Sequence, residues 1–298
     1  MSRSQPLLAA KFTKRITMFG IIGGTGLYKL DEFSVTASKI VDTPFGQPSG
    51  PIAIGTLAGR EVAFLARHGM QHELLASEVN YRANIWALKS LGVRTILGIS
   101  AVGSLTAEIK PGDFAIPAQY LDFTKGKRAH TFFGDGVVAH ISTAEPVCPA
   151  LHGALASSLQ LDKNSLHFKA TYACVEGPRL GTRAESIMLK NLGASLVGMT
   201  NVPEAFLARE AQICYATLAI ATDYDSWLAD PAQHASTPAA LETYRNNIKR
   251  IHQLLPAILA THVERSGCNC AHSLEFAILS RDEQLSAAQL EMLAVIRS

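Results

Sequence analysis

The sequence predicts an α/β domain around a central, mainly parallel sheet, and three observations carry this. Short β-branched or apolar runs alternate with longer helical patterns along the chain. Four of the predicted strands end in groups that suit an anion, as strands of open sheets do at their carboxyl edge. No linker or internal repeat interrupts the 298 residues. That length fits one large domain or two modest ones, so the unbroken alternation decides for one.

Phe19-Gly20-Ile21-Ile22 reads as a buried strand entering the turn Gly23-Gly24-Thr25-Gly26. Two runs, 51–56 and 61–66, flank Leu57-Ala58-Gly59-Arg60, a hairpin signal. Apolar residues at helical spacing span 80–91 and stop at Gly92, a C-terminal cap. Strands are expected at Thr95–Ser100 and, after the turn Lys110-Pro111-Gly112-Asp113, at 114–117. Further along come a strand at 171–175, a helix at 183–192 closed by Gly193, a strand at 196–199 and a helix from Pro203 to Gln212. Tyr215–Thr222 is a strongly apolar strand ending at Asp223, and Pro238–Arg265 is a long amphipathic helix ended by Gly267. The domain is expected to occupy 18–298, with 1–17 a disordered extension.

A composition of 48% hydrophobic and 17% charged residues is that of a folded protein with a sizeable core. The net charge of +2 gives no reason to expect nucleic acid or membrane as a partner, so any bound anion must be held by local donors. No apolar run approaches the ~20 residues of a membrane helix. Cys148, Cys174, Cys214, Cys268 and Cys270 form an odd, sparse set that reads as reduced and cytoplasmic. Cys268-Asn269-Cys270 is the one close pair. With no second pair at ligand spacing, the spacing does not predict zinc, and two ordinary thiols or a strained redox pair remain.

Gly23-Gly24-Thr25-Gly26-Leu27 offers free backbone N–H groups and a hydroxyl to an anion, but it is neither G-x-G-x-x-G nor a P-loop. Leu65-Ala66-Arg67-His68-Gly69 ends a strand with a guanidinium, which matches phosphate geometry, and an imidazole. Ser100-Ala101-Val102-Gly103-Ser104 and Met199-Thr200-Asn201 each bring a hydroxyl and turn N–H groups to the same edge. In Thr222-Asp223-Tyr224-Asp225, continued extension would put both carboxylates on one face, where one would hold its proton. A general acid beside an acceptor, an Asx-type turn and a magnesium site are the readings open for that pair. Glu176-Gly177-Pro178-Arg179 fixes a loop whose charges either line a pocket or form a structural ion pair.

These motifs resemble the methylthioadenosine phosphorylases of the trimeric purine nucleoside phosphorylase family, from about Phe19 to Leu279. The carriers are the segments 20–27, Thr43-Pro44-Phe45-Gly46, 66–69, 79–88, 176–179, Arg183-Ala184-Glu185-Ser186, 198–200, Val202-Pro203-Glu204 and 222–225. The stretch 125–168 carries no such motif. The resemblance implies a twisted, mixed sheet flanked by helices and phosphorolysis of a 5′-methylthio-purine nucleoside, with inorganic phosphate as co-substrate and no metal or organic cofactor. Thr25, Arg67, His68, Ser100, Ala101 and Thr200 would hold phosphate, and Met199 would lie beneath the ribose. Asp223 would protonate purine N7 and Asp225 would accept from a 6-amino group, which favours adenine over a 6-oxopurine. His140 and Leu279 resemble residues that reach a neighbouring subunit's methylthio pocket, so a homotrimer is expected.

Two departures stand out. The family has Phe-Ser after Glu-Gly-Pro-Arg, where this chain has Leu180-Gly181. Thr237, followed by Pro238, stands where the family is more aliphatic. Both touch substrate choice, so a 6-oxopurine phosphorylase acting on methylthioinosine stays open. From other classes, so do a dinucleotide-dependent oxidoreductase and a non-catalytic nucleoside-binding module.

Overall fold

A computed structural model describes residues 18–24, 32–159, 165–261, 263 and 268–298. The expected extension 1–17, Thr25 and Gly267 lie outside the described residues. Strands β1 (Phe19–Gly23), β2 (Ser34–Lys39), β3 (Ile52–Leu57), β4 (Arg60–Ala66), β5 (Thr95–Ser104), β6 (Phe114–Ala115), β7 (Gln119–Phe123), β8 (Leu166–His167), β9 (Thr171–Val175), β10 (Leu196–Gly198) and β11 (Cys214–Asp223) form one mixed sheet. Six of its ten pairings are parallel, which makes the sheet mainly parallel as expected. Helices α1 (Tyr81–Ser90), α2 (Pro149–Ser158), α3 (Arg183–Asn191), α4 (Asn201–Glu210), α5 (Thr237–Ala260) and α6 (Ala287–Arg297) accompany it.

Local chemistry sets these limits. Ala58 and Gly59 both take positive φ, which closes the β3–β4 hairpin with the twist its strands need. Asn80 caps α1 through Oδ1 to the Ala83 N–H, and Gly92 ends it at φ +93°. Thr182 and Glu185 form a capping box that starts α3.

Two boundaries differ from expectation. The long helix α5 ends at Ala260 and not at Arg265, because Thr261 turns extended while its Oγ1 donates to the Ile258 carbonyl. Arg60 then collects the carbonyls of Leu259 and Thr261. Strand β5 does not stop at Ser100. It runs to Ser104 because new partners are available after β1 ends.

That second difference positions the site. β11 holds one edge of β5 along its length, pairing Thr95 through Gly103. On the other edge β1 pairs Thr95–Gly98, and the antiparallel β10 pairs only Gly103 and Ser104. Neither pairs Ile99–Val102, so a crevice opens there, at a switch in strand order of the kind where open sheets bind ligands. β5 and β11 are almost wholly buried, and the main core packs around them.

Candidate active site

The crevice is built from strand ends. At the end of β4, the Arg67 N–H donates to the Gly23 carbonyl at 2.9 Å and extends the β1 ladder by one bond. Its side chain is 1% exposed and does not present a free fork, as the sequence reading had it. Nε and Nη2 donate to Glu204 at 2.7 and 2.8 Å, Nη1 to the Ile99 carbonyl, and Nη2 also to the Ile22 carbonyl. Glu204, equally buried on α4, also accepts from the Tyr215 hydroxyl at 2.7 Å. Burial works against the Arg67 charge, and Glu204 more than offsets it, so the guanidinium stays protonated. Arg67 thereby ties β1, β4, β5 and α4 together.

His68 donates Nδ1–H to the Leu74 carbonyl at 2.9 Å, because a carbonyl can only accept. Burial, aided by the Arg67 charge, pushes its pKa down to about 4. The neutral ring therefore turns an Nε2 lone pair, not a second N–H, toward any ligand. Ser100 and Thr200, both 6% exposed, bring their hydroxyls within 3.2 Å of each other across the crevice. The Ile99 carbonyl faces Arg67, so strand alternation turns the main chain of Ala101, two residues on, to the same edge. Ala101 lies extended in β5 and not in a turn, and it is exposed.

Met199 follows β10. Its carbonyl accepts from Arg128 Nη1 at 2.6 Å, and its side chain fills the space beside Gly177, where φ is +70° and a Cβ would overlap the sulfur. Arg128 also donates to the Val202 carbonyl and to Glu176 Oε1. Glu176 is thus half of a buried structural pair and not a pocket-lining charge. Arg179 pairs with Glu185 on the surface and anchors the Gly-Pro-Arg loop to α3.

Asp223 closes β11, but the chain does not stay extended beyond it. Asp225 has φ +50°, and its N–H donates to Asp223 Oδ1 at 2.8 Å, an Asx-type turn. The Thr222 hydroxyl donates to Asp223 Oδ2 at 2.8 Å, and Asp225 Oδ2 accepts from the Ser186 hydroxyl. The carboxylates are joined by the turn and do not share a strand face. Burial raises the pKa of each, against the pull of those donors. Both close onto β5 because residue 103 is glycine: a Cβ there would stand 3.1 Å from Asp223 Oδ1 and from Asp225 Cβ. Gly181 lies over the Ser186–Asp225 pair, at ordinary contact distance. Leu180 is exposed, as is Thr237 at the start of α5.

His140 and Leu279 form a separate group. The His140 N–H donates to the Ala277 carbonyl and the Leu279 N–H to the Val138 carbonyl, with Ala139 bridged to Ile278. Leu279 is 65% exposed and Phe276 88%. A surface cavity of about 320 Å³, lined in part by His140, Arg209, Asn269 and Phe276, contains none of the strand-end groups.

Sequence reasoning gave no role to Arg128, Ser186 or Tyr215. Arg128 lies in the motif-free stretch, and its partners are 46 residues or more away. Ser186 and Glu204 had one available signal, a polar residue on the buried face of its helix.

Comparison with known proteins places these observations. Residues 18–260 match the model of the Phosphorylase superfamily. The chain is 43% identical over 279 residues to a protein of Geobacter sulfurreducens named S-methyl-5′-thioadenosine phosphorylase, covering 94% of this chain and 97% of that one. A protein of the same name from Thermosynechococcus vestitus is 46% identical over 285 residues, covering 93% and 96%. Among solved structures, a methylthioadenosine phosphorylase from an antarctic soil metagenomic library superposes with TM-score 0.86 at 43% identity, over 95% of this chain and 99% of that one. Methylthioadenosine phosphorylase from Schistosoma mansoni, in complex with adenine, gives 0.78 at 35% identity over 82% and 91%.

Proposed function

Since the chain belongs to the Phosphorylase superfamily, as a member of its methylthioadenosine phosphorylase family, we propose that it cleaves 5′-methylthioadenosine with inorganic phosphate to adenine and 5-methylthioribose 1-phosphate. The observation that carries this reading is an anion-suited crevice on β5 beside a partly buried Asp223, its pKa raised by burial, at the end of β11.

Phosphate is received by the hydroxyls of Ser100, Thr200 and Thr25, the Ala101 N–H and His68. Neutral His68 accepts from a phosphate O–H through Nε2. Arg67 contributes its charge and its scaffold, since its fork belongs to Glu204. The ribose rests on Met199, whose carbonyl Arg128 holds in place. As the glycosidic bond breaks, its electron pair passes to the base and Asp223 gives its proton to N7. A phosphate oxygen then forms the new bond to C1′. Holding both substrates together removes much of the entropic cost of meeting. The reaction calls for no metal or organic cofactor.

Asp225 selects the base. Ser186 donates to one of its oxygens, and the 6-amino group of adenine donates to the carboxylate. The raised pKa of Asp225 favours a second reading, because a protonated Asp225 donates to a 6-oxygen. A homotrimer is proposed as the working form, with the exposed Phe276 and Leu279 and nearby His140 covered by a second copy and lent to its methylthio pocket. Among the described residues, no helix is long and apolar enough to cross a membrane.

Comparing kcat/KM for methylthioadenosine, adenosine and methylthioinosine, with and without phosphate, tests this reading. Methylthioadenosine should lead, and turnover should require phosphate. A lead for methylthioinosine overturns the base assignment, and phosphate-independent release of base overturns the reaction class.

A further inference from the structure

The strand-end chemistry leaves four cysteines unused. Cys148 caps α2, Cys214 opens β11, and Cys268 and Cys270 flank Asn269 at the short 3-10 turn Asn269–His272. All four are at most 3% exposed, and their sulfurs lie within 4.8 Å of one another. Two of the approaches are 3.4 Å, Cys148 to Cys268, and 3.6 Å, Cys214 to Cys268. The sequence showed only Cys268-x-Cys270, because the other two cysteines stand 120 and 54 residues from Cys268.

Tetrahedral zinc thiolate sites have Zn–S distances of about 2.3 Å, which sets the sulfur–sulfur edge at about 3.8 Å. The Cys148–Cys268 and Cys214–Cys268 approaches fall about 0.2–0.4 Å inside that edge, and no pair lies more than 4.8 Å apart. A disulfide needs about 2.05 Å between two partners, and a set of four mutual neighbours singles out no pair. The surroundings suit thiolates. The Leu151 N–H in the first turn of α2 points at Cys148 Sγ from 3.4 Å, and Arg209 Nη1 approaches Cys270 Sγ at 3.1 Å. Such N–H donors orient thiolate ligands and offset the −2 charge of a four-thiolate zinc centre.

We propose that Cys148, Cys214, Cys268 and Cys270 bind one zinc ion as a closed structural site that clamps the segment after α5 to α2 and β11. Four thiols lose four protons, and four Zn–S bonds form. With every ligand from the protein, no position is open to substrate, so the role is structural. The clamped segment leads to Ala277–Leu279, which pairs with Val138–His140. Zinc thereby steadies the surface that carries His140 and Leu279.

The experiment uses the full chain, reduced, stripped with a chelator and titrated with cobalt(II) alone. Zinc content of the protein as purified from zinc-supplemented medium is measured beside it. The expected result is about one metal per chain, with a thiolate-to-cobalt charge-transfer band and the intense visible bands of tetrahedral cobalt. Cys174→Ser, outside the cluster, should leave both unchanged, and Cys268→Ser with Cys270→Ser should abolish both. Wild-type chain that takes up no metal and shows no charge-transfer band overturns the proposal. That holds whether denaturing alkylation counts all five thiols as free or finds some that appear only after reduction. The readouts do not depend on catalysis, so failure here and failure of the phosphorylase reading are separate.

Discussion

Replacing Asp223 with asparagine tests the proton donor without disturbing the turn that holds it. Asp223 Oδ1 accepts from the Asp225 N–H, and the amide oxygen of asparagine does the same. The Thr222 hydroxyl lies within reach of both Asp223 Oδ2 and the Val102 carbonyl, at 2.8 and 3.2 Å, yet has one hydrogen. Beside asparagine it donates to Val102 and accepts from the new amide, so both contacts survive. What disappears is the proton. A general acid is worth roughly 10²- to 10⁴-fold in rate, or about 3–5 kcal/mol. Burial, helped by the neighbouring Asp225 carboxylate, raises the pKa of Asp223 and so favours its protonated form, and the loss should fall near the middle of that range, roughly 10³-fold in kcat/KM for methylthioadenosine. The control is the same nucleoside methylated at N7, whose base departs neutral without a proton. Its turnover should change by less than about tenfold. Adenine release followed by absorbance gives the first number and a coupled assay of sugar phosphate the second. Equal losses on both substrates would refute proton donation and leave Asp223 a positioning residue.

Three further outcomes are expected. Ser186→Ala removes the donor to Asp225 and should raise KM for methylthioadenosine about five- to tenfold, as loss of about 1–1.5 kcal/mol implies, with kcat nearly unchanged; a fall confined to kcat would contradict the base-binding role. Glu204→Gln leaves Arg67 charged in a site 1% exposed, at about 3–5 kcal/mol, so Tm should fall on the order of 10 °C. Added phosphate should recover more Tm in this variant than in wild type, because the freed fork can meet the anion, and equal recovery would place Arg67 away from phosphate. Glu210 is buried with a pKa pushed up to about 7 from an ordinary 4.5. Its contribution is therefore fully present below 4.5 and lost as pH rises through 7. Denaturant unfolding should show stability falling by at most about 1.4 kcal/mol per pH unit across that window, with a shallower fall in Glu210→Gln.

The parts legible in the sequence are those with local causes. The β3–β4 hairpin shows in Ala58-Gly59, α1 in Asn80 and Gly92, and β11 in an apolar run that stops at a carboxylate. β2 is not picked out: Ser34–Lys39 alternates Val35 and Ala37 with polar residues, but it is a short edge strand that buries almost none of them. α2 and α6 lay in stretches without motifs. The run of β5 to Ser104 depends on β10 and β11 arriving from 90 or more residues away. The same limit governed the site. The strand-end residues could be found one by one, but Glu204 occupying the Arg67 fork, Arg128 under Met199 and the gathering of four sulfurs are products of tertiary folding.

The position of β5 has a consequence for motion. Along Thr95–Gly98, β5 is paired on both edges and buried on both faces, and such amides exchange with solvent only when the whole domain unfolds, whereas Ile99–Val102 is held by β11 on one edge alone. The floor of the crevice is therefore anchored by β11 and by the doubly paired stretch before it, and nucleoside does not enter by parting strands. Entry and product release fall to the rim. There the loop 177–182 hangs from α3 by its surface Arg179–Glu185 pair, and the segment 224–236 joins β11 to α5. If turnover is limited by a conformational step, it is the opening of these two segments that sets the rate, while the groups that read phosphate stay still.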